Sequence, residues 1–230
     1  YTCINYYFNN QEKESKMKIE NIKPYEIEKR SMEIIESEMG DTSHLTDGEK
    51  LIVKRVIHAT ADFDYLKNLK FSKNAVENAL KALKKGAIIV TDTNMAQSGI
   101  SKVACRALNC ELYCFMADND IAKTAKEKGI TRAVASMDKA VEMFKGKNVI
   151  FAIGNAPTAL LRLLEHIDKG EISPVLVIGV PVGFVNVIQS KQELMKRNVN
   201  YIVSDGRKGG STVTASILNA LLYQVYDRKI

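Results

Sequence analysis

Histidine is the side chain best suited to move a proton near neutral pH, and this chain has three. His44 lies in a polar loop and His166 near a predicted helix end, whereas His58 lies on an amphipathic helix whose expected cap is Thr46. Arg55 and His58 are three residues apart, so their side chains share a face of that helix. Two cations on one face repel, which favours a neutral imidazole or an anion between them. His58 is therefore the candidate acid or base, although a purely structural histidine also fits this pattern.

Glycine and small polar residues follow four apolar runs of the chain, each at the point where the run ends. These segments are residues 92–95, 154–158, 179–183 and 205–211. Parallel strands direct their carboxyl ends to one edge of a sheet, and ligands of open α/β sheets bind at that edge. The segments are therefore expected to meet at a ligand site, although such glycines also form ordinary turns.

The last of these segments has the composition of an anion site. Gly-Gly-Ser opens a predicted helix beside Arg207 and Lys208, so backbone N–H groups and two cations would face a ligand. Val182 and Phe184 add apolar side chains to the same edge. The sequence contains no G-x-G-x-x-G after a strand, no G-x-x-x-x-G-K-[ST], no H-E-x-x-H and no G-x-S-x-G. The expected ligand is thus a large neutral body with several carboxylates, not a standard nucleotide.

A buried strand at residues 148–153 feeds the second of these segments. Its apolar residues do not alternate with polar ones, which is typical of a strand covered on both faces. Gly154 permits a sharp turn, Asn155 is a suitable helix cap and Pro157 suits the first helical turn. The helix that follows would direct its free N–H groups beyond the strand end.

Strands and helices alternate through the rest of the chain. Four further strands are predicted, at residues 87–91, 111–115, 175–179 and 201–204. Helices are predicted at residues 25–39, from 46, at 72–85 with Ser72 as the cap, at 118–128, 131–144 and 154–168, within 184–196, and at 211–226. Crossovers of this length predict an α/β fold with a five-stranded parallel sheet, helices on both faces and extra N-terminal helices.

Composition narrows the class of protein. The 230 residues carry 33 basic and 27 acidic side chains, a net charge of +6, with no basic stripe that would indicate nucleic-acid binding. No apolar run is long enough to cross a membrane. The four cysteines are spaced unlike any zinc or iron–sulfur motif, so no metal site is predicted and a cytoplasmic location is expected. Residues 1–16 are expected to be a loosely ordered extension and residues 17–230 a single domain.

Six segments of the sequence resemble the precorrin-8X methylmutase family, including its cobalt-precorrin-8 branch. The resemblance covers nearly all of residues 25–222. The segments are Arg30-Ser31, the RVIHAT and DFD sequences at 55–60 and 62–64, the Thr91-Asp92 pair followed by Met95 and Gly99-Ile100, the AIGNAPTAL sequence at 152–160, the GVPVGFV sequence at 179–185 with Ser190-Lys191, and the GRKGGS sequence at 206–211. GNAPTAL and PVGFV are the most specific of them.

The resemblance implies a three-layer α/β/α, flavodoxin-like fold, a homodimer and an isomerase of cobalamin biosynthesis. Members move a methyl group from C-11 to C-12 on ring C of a corrinoid precursor, giving a hydrobyrinic acid. His58 matches the family's catalytic histidine, which acts on the ring C nitrogen. Because the methyl shift is intramolecular, no cofactor is required, and any cobalt would be carried by the substrate.

The resemblance and the loop chemistry together nominate substrate-binding residues. They are Ser31, Arg55, Asp92, Met95, Gly99, Lys102, Asn155, Ala156, Thr158, Val182, Gly183, Phe184, Arg207, Lys208, Gly210 and Ser211. Some members carry arginine where this chain has the segment around Lys102, and lysine cannot offer the same forked contact. Two other functions stay open from the residues alone: a non-catalytic tetrapyrrole carrier, and a flavodoxin-like nucleotide-binding domain.

Overall fold

The computed structural model describes residues 20–226, so the expected extension at residues 1–16 lies outside the described residues. Within this part, six strands form one sheet: β1 (Leu69–Phe71), β2 (Ile88–Thr91), β3 (Glu111–Tyr113), β4 (Val149–Ile153), β5 (Leu176–Gly179) and β6 (Tyr201–Ser204). The helices are α1 (Ile27–Glu38), α2 (Asp47–Thr60), α3 (Tyr65–Asn68), α4 (Ala75–Lys84), α5 (Asn94–Gly99), α6 (Lys102–Ala107), α7 (Asn119–Lys128), α8 (Arg132–Phe144), α9 (Pro157–Asp168), α10 (Val187–Met195) and α11 (Ser211–Tyr223). A short 3₁₀ turn, Pro24–Glu26, precedes α1.

The strand order across the sheet is β1-β6-β5-β4-β2-β3. Strands β2 to β6 are parallel, and β1 pairs antiparallel with β6 at one edge. The parallel strands follow the flavodoxin-like order, with the order reversing between β2 and β4. The predicted fold class is therefore confirmed, with one addition: β1 escapes prediction because its three residues are too few to show a period.

Helices cover both faces of the sheet, and β4 shows how one strand serves both layers. Ile150 and Ala152 pack with α1, α2, α4 and α11, whereas Phe151 and Ile153 pack with α7, α8 and α9. All four side chains are fully buried. The alternating direction of side chains along a strand thus divides one apolar run between two cores.

No helix within residues 20–226 is both long and apolar enough to cross a lipid bilayer.

Two predicted helix starts are wrong. The helix expected from Ser72 begins at Ala75 after the left-handed Asn74, and the Ser72 hydroxyl instead accepts the N–H of Tyr201 at 2.9 Å. The cap of α9 is Ala156, not Asn155, and neither contributes a side-chain cap. In both places the residue expected to cap the helix instead bonds a residue distant in sequence: Ser72 bonds Tyr201, and the N–H of Asn155 donates to Asp92.

The helix that carries His58 starts as predicted. The Thr46 hydroxyl accepts the N–H of Glu49, whose carboxylate in turn accepts the N–H of Thr46, forming a capping box. The helix ends at Thr60, where Ala61 adopts a left-handed conformation with φ 53°. This places His58 in the last turn of α2, directly before a sharp change of chain direction.

Candidate active site

A buried carboxylate closes the sheet edge at the point where the strand order reverses. Asp92 follows β2, is 1% exposed, and accepts the N–H groups of Gly154, Asn155 and Ala156 at 2.9, 2.8 and 2.8 Å. Burial raises the pKa of Asp92, and the three N–H donors act against that rise. The N–H groups of the turn that leads into α9 are thus already bonded to a side chain of the protein.

This arrangement engages some of the predicted binding groups within the protein. Both oxygens of Asp92 accept N–H groups of the turn 154–156 that precedes α9. Asn155 keeps an exposed side chain, whereas half-buried Thr158 lies with its hydroxyl 3.4 Å from that of Thr131. The Asp92 carboxylate and the Ala156 N–H are therefore bonded to each other, and their contact with a substrate stays a prediction.

The loops after β4, β5 and β6 are pressed together, which explains two of their glycines. A Cβ on Gly154 would lie 2.1 Å from Oγ1 of Thr214, and one on Gly209 would lie 2.1 Å from the carbonyl oxygen of Val180. The N–H of Gly210 donates to the same Val180 oxygen at 2.9 Å. The four segments predicted to meet at one edge of the sheet, residues 92–95, 154–158, 179–183 and 205–211, do meet there.

The loop after β5 presents apolar side chains to solvent. Phe184 is 81% exposed, Val182 is 45% exposed, and the guanidinium carbon of Arg207 lies 5.4 Å from the Phe184 ring centroid. The N–H of Gly183 donates to the Arg207 carbonyl oxygen at 3.2 Å, which joins this loop to the loop after β6. An exposed aromatic ring beside a cation suits a large conjugated anion.

The start of α11 lies beside the loop after β2. The hydroxyls of Ser211 and Thr93 are 2.8 Å apart, and no side chain caps α11, whose cap residue is Gly210. Met95 is 71% exposed on α5, and a Cβ on Gly99 would lie 2.9 Å from Cβ of Ala215. Unlike α9, helix α11 therefore keeps its N-terminus without a capping carboxylate.

His58 opens into a cavity of about 290 Å³ between α1 and α2. Ser31, Glu38 and Phe63 are among the residues that line it. The Ser31 hydroxyl donates to the Ile27 carbonyl one turn back, as its polar position on an apolar face suggests. The His58 side chain is exposed and makes no hydrogen bond or ion pair with any residue between 20 and 226. The imidazole is therefore available to a ligand.

Arg55 does not share the His58 cavity. Its guanidinium forms an ion pair with Glu28 at 2.7 Å and lies 5.5 Å from the Tyr223 ring centroid. It lines a separate cavity of about 300 Å³ between α2 and α11. Of the two arrangements expected from the sequence, this geometry does not favour an anion between Arg55 and His58, because Glu28 of α1 and Tyr223 of α11 hold the arginine at the other cavity. Substrate binding by Arg55 stays a prediction.

Lys208 and Lys102 are both engaged within the protein. Lys208 Nζ lies 2.6 Å from a carboxylate oxygen of Asp62 and 2.6 Å from one of Asp64, residues expected only to form a turn. Lys102 Nζ donates to the carbonyl oxygens of Ile100, at 3.1 Å, and Gln97. Of the four basic residues expected to bind carboxylates, only the Arg207 guanidinium faces the edge without a carboxylate or carbonyl partner among the described residues.

Lys191, which the sequence offers only as part of the family resemblance and not as a predicted site residue, also belongs to this region. Its side chain is fully buried on α10, and its ammonium donates to the carbonyl oxygens of Gly206 and Lys208 at 2.8 Å each. A lysine on the apolar face of a predicted helix is a detectable signal, since lysine is rarely buried without partners.

Within residues 20–226, no group of three or more His, Cys, Asp or Glu side chains could hold a metal ion.

Comparisons with known proteins agree with this architecture. The family model Precorrin-8X methylmutase matches residues 26–224. The Cobalt-precorrin-8 methylmutase of Priestia megaterium is 44% identical over 200 residues, which cover 87% of this chain and 88% of that protein. The Precorrin-8X methylmutase of Pseudomonas aeruginosa is 38% identical over 197 residues, covering 85% and 93% of the two chains. A crystal structure of the precorrin-8x methyl mutase from Thermus thermophilus superposes with a TM-score of 0.81 at 40% identity, covering 87% and 96%.

Proposed function

This chain belongs to the precorrin-8X methylmutase family and is an isomerase of cobalamin biosynthesis, and we propose that it moves a methyl group from C-11 to C-12 of ring C in cobalt-precorrin-8. The observation that carries the proposal is the open His58 imidazole in the cavity that Ser31 also lines. A side chain that can give or take a proton near pH 7 faces space large enough to admit the rim of a ligand. The rest of a tetrapyrrole would extend over the sheet edge.

In the proposed reaction, His58 donates a proton or hydrogen bond to the conjugated system at ring C. In a metal-free substrate the ring C nitrogen would receive it; in cobalt-precorrin-8, where cobalt holds that nitrogen, a carbon of the conjugated system would receive the proton. The donation draws electron density towards the protonated position and polarises the conjugated system. The bond between the methyl carbon and C-11 breaks while the bond between the methyl carbon and C-12 forms. No atom is gained or lost, so the step needs no cofactor and no external methyl donor. When the ring system loses the added proton, the imidazole recovers it and the cycle closes.

The sheet edge supplies the proposed binding surface for the body of the substrate. Phe184 and Val182 would cover the apolar ring system, and Arg207 would meet one of its carboxylates. The uncapped N-terminus of α11 would bind another carboxylate, whose oxygens would accept hydrogen bonds from the backbone N–H groups and from the Ser211 hydroxyl. The N–H groups of the turn 154–156 would take no part, because Asp92 already accepts them.

The choice of the cobalt-containing substrate rests on the relatives. The Priestia megaterium protein, named for cobalt-precorrin-8, is 44% identical, whereas the Pseudomonas aeruginosa protein, named for precorrin-8X, is 38% identical. The cobalt ion would belong to the substrate and not to the protein. A homodimer and a location in the cytoplasm, where such biosynthesis would proceed, complete the proposal.

Turnover separates this function from the carrier hypothesis. Purified protein is mixed with cobalt-precorrin-8 or metal-free precorrin-8 in a twentyfold excess, and the absorption spectrum is followed. An enzyme converts far more than one equivalent, and we expect the cobalt compound to be consumed faster. A spectral change that saturates at one equivalent without formation of product indicates a carrier, while binding of a nucleotide without any affinity for corrinoids indicates a nucleotide-binding domain.

A further inference from the structure

Lys191 is a charged group in an apolar environment with two carbonyl partners on one loop. Its side chain is fully buried on α10, whose neighbours Val187 and Leu194 belong to the core. The ammonium holds the carbonyl oxygens of Gly206 and Lys208 at 2.8 Å each, and the Ser204 hydroxyl donates to the Lys208 oxygen at 2.9 Å. Bonds from an ionised donor in a buried site are strong, so the loop after β6 is fixed from inside the protein.

The side chain of Lys208 extends that fixation outward. Its ammonium lies 2.6 Å from Asp62 and 2.6 Å from Asp64, the residues on either side of Phe63. Phe63 lines the His58 cavity, and Asp62 follows the last residue of α2 by two positions. A second link lies close by, where the Asp205 N–H donates to the carbonyl oxygen of Asn68 at 2.7 Å.

We propose that Lys191 and Lys208 form a two-lysine latch that positions the His58 end of α2 against the substrate-binding edge of the sheet. The buried lysine sets the backbone of the loop after β6, and the second lysine clamps the 62–64 turn to that loop. Neither side chain needs to touch the substrate. Both are positioning residues, and the inference deepens the proposed function because its effect on turnover rests on His58 as the catalytic group.

The pKa values of the two lysines are shifted in opposite directions. Burial lowers the pKa of Lys191 to about 8, with Asp205 acting weakly in the opposite direction, whereas hydrogen bonds from Lys208 to Asp62 and Asp64 raise the pKa of Lys208. Above about pH 8, Lys191 therefore loses its charge while Lys208 keeps its own. A neutral amine donates weaker hydrogen bonds to Gly206 and Lys208, so the inner half of the latch loosens as pH rises.

Hydrogen–deuterium exchange tests the latch without depending on turnover. The variants are Lys191→Met and Lys208→Met, and the matched control is Lys139→Met. Lys139 is also held by two aspartates, Asp118 and Asp120 at 2.8 Å each, and none of these residues lines the His58 cavity. The chain thus offers the same substitution at a second lysine–aspartate clamp.

In Lys208→Met we expect exchange to become about tenfold faster or more in residues 57–68, with the strands unchanged. Lys191→Met should produce that change and also accelerate exchange in residues 205–210. Unchanged exchange at 57–68 in Lys208→Met overturns the latch, as does an equal effect of Lys139→Met there. Faster exchange throughout the sheet in Lys191→Met would mark a merely structural lysine and also overturn it. If Lys191→Met does not fold, the exchange of residues 57–68 in Lys208→Met alone supports or overturns the latch.

The kcat supplies a readout in the assembled enzyme, because the latch is proposed to position the catalytic His58. Between pH 7 and 9 we expect the wild-type kcat to fall about threefold to tenfold as Lys191 loses its charge, and the kcat of Lys208→Met to start low and stay flat. A pH profile shared by wild type and Lys208→Met counts against the latch. Absence of turnover in the wild type would instead contradict the proposed function, while the exchange results would still support or overturn the latch on their own.

Discussion

The carboxylate of Asp92 accepts the N–H of Gly154 at 2.9 Å, across the point of the sheet where the strand order reverses. This is the position at which open α/β sheets ordinarily admit ligands. Here the protein fills it with its own anion, so an incoming anion would meet a buried carboxylate. The available surface shifts towards the loops after β5 and β6 and towards α2, which is where His58 lies.

Asp92→Asn should lower the free energy of unfolding by about 2–4 kcal/mol. The amide offers one acceptor oxygen in place of two, and its NH₂ group would face the N–H groups that Asp92 now accepts. Urea denaturation at pH 7 measures the change. Asp120→Asn, an exposed aspartate on α7, is the control and should leave the midpoint within error. Equal midpoints for Asp92→Asn and wild type would contradict the capping role.

Gly154→Ala should cost more than about 3 kcal/mol or prevent folding, because the new Cβ would lie 2.1 Å from Thr214 Oγ1 and 2.9 Å from the Gly210 carbonyl oxygen. Gly129→Ala is the control, since nothing lies within 4 Å of its added Cβ and only its φ of +63° is strained. That control should lose about 1–2 kcal/mol. Thermal and urea unfolding compare the two, and similar losses would mean that the loops can separate.

Phe184→Ala should raise KM about tenfold to a hundredfold while leaving stability unchanged, because the ring is 81% exposed in the free protein and would be covered only by substrate. Met143→Ala, at a 50% exposed position on α8, removes a similar apolar group away from the edge. Steady-state kinetics with both variants provide the test. An unchanged KM in Phe184→Ala would remove the loop after β5 from the binding surface.

His166 should support stability in a pH-dependent way without affecting turnover. Its ring nitrogens contact Asp138, at 2.8 Å, and Glu171. Burial acts to raise the pKa of Asp138, but hydrogen bonds from Arg162 and His166 outweigh it, and the hydrogen bond from His166 lowers the pKa of Glu171. Both folded pKa values lie below the ordinary 3.8 and 4.5, so this stabilisation is present above those values and is lost as pH falls through the lowered ones.

The corresponding variant is His166→Ala, compared with wild type by urea unfolding at pH 5 and pH 3. Wild type should lose stability over this interval more steeply than the variant, because the variant lacks the hydrogen bond that lowers the pKa of Glu171 and one of the two that lower the pKa of Asp138, the other being donated by Arg162. Turnover at pH 7 should remain at the wild-type level. A variant with the wild-type pH slope would show that other groups set the two carboxylate pKa values.

Much of the fold follows from local pattern. Apolar runs without alternation predict β4 and β5, and the Thr46–Glu49 pair predicts the start of α2. Gly154 is predicted as a sharp turn, but the contacts that require glycine there are visible only in the structure. Strand β1 was not predicted because its pairing with β6 depends on a partner more than 100 residues away. The cap of α9 is misplaced for a similar reason, since Asp92, 62 residues before Gly154, bonds the preceding turn from the end of the neighbouring strand β2.

In the candidate site too, residue types can be predicted from the sequence, whereas contacts between residues distant in sequence cannot. His58 and the exposed Phe184 are visible in the sequence through type, position and family resemblance. The partners of Lys208 and Arg55 are not, because any surface lysine or arginine could bind substrate equally well until the packing of α1, α2 and α11 is known. Lys191 carries a weak local signal, a lysine at an apolar helix position, whose meaning depends on two carbonyl groups beyond β6.

The central claim is that His58 carries the chemistry while the sheet edge binds the substrate. The most direct measurement is the turnover of cobalt-precorrin-8 by His58→Ala, followed by absorption, together with the affinity of the variant for the product. His44→Ala serves as the control because His44 is also exposed but lines a different cavity. We expect kcat to fall about a hundredfold or more in His58→Ala with product affinity retained, and no change in the control. Turnover near the wild-type rate in His58→Ala would contradict the account.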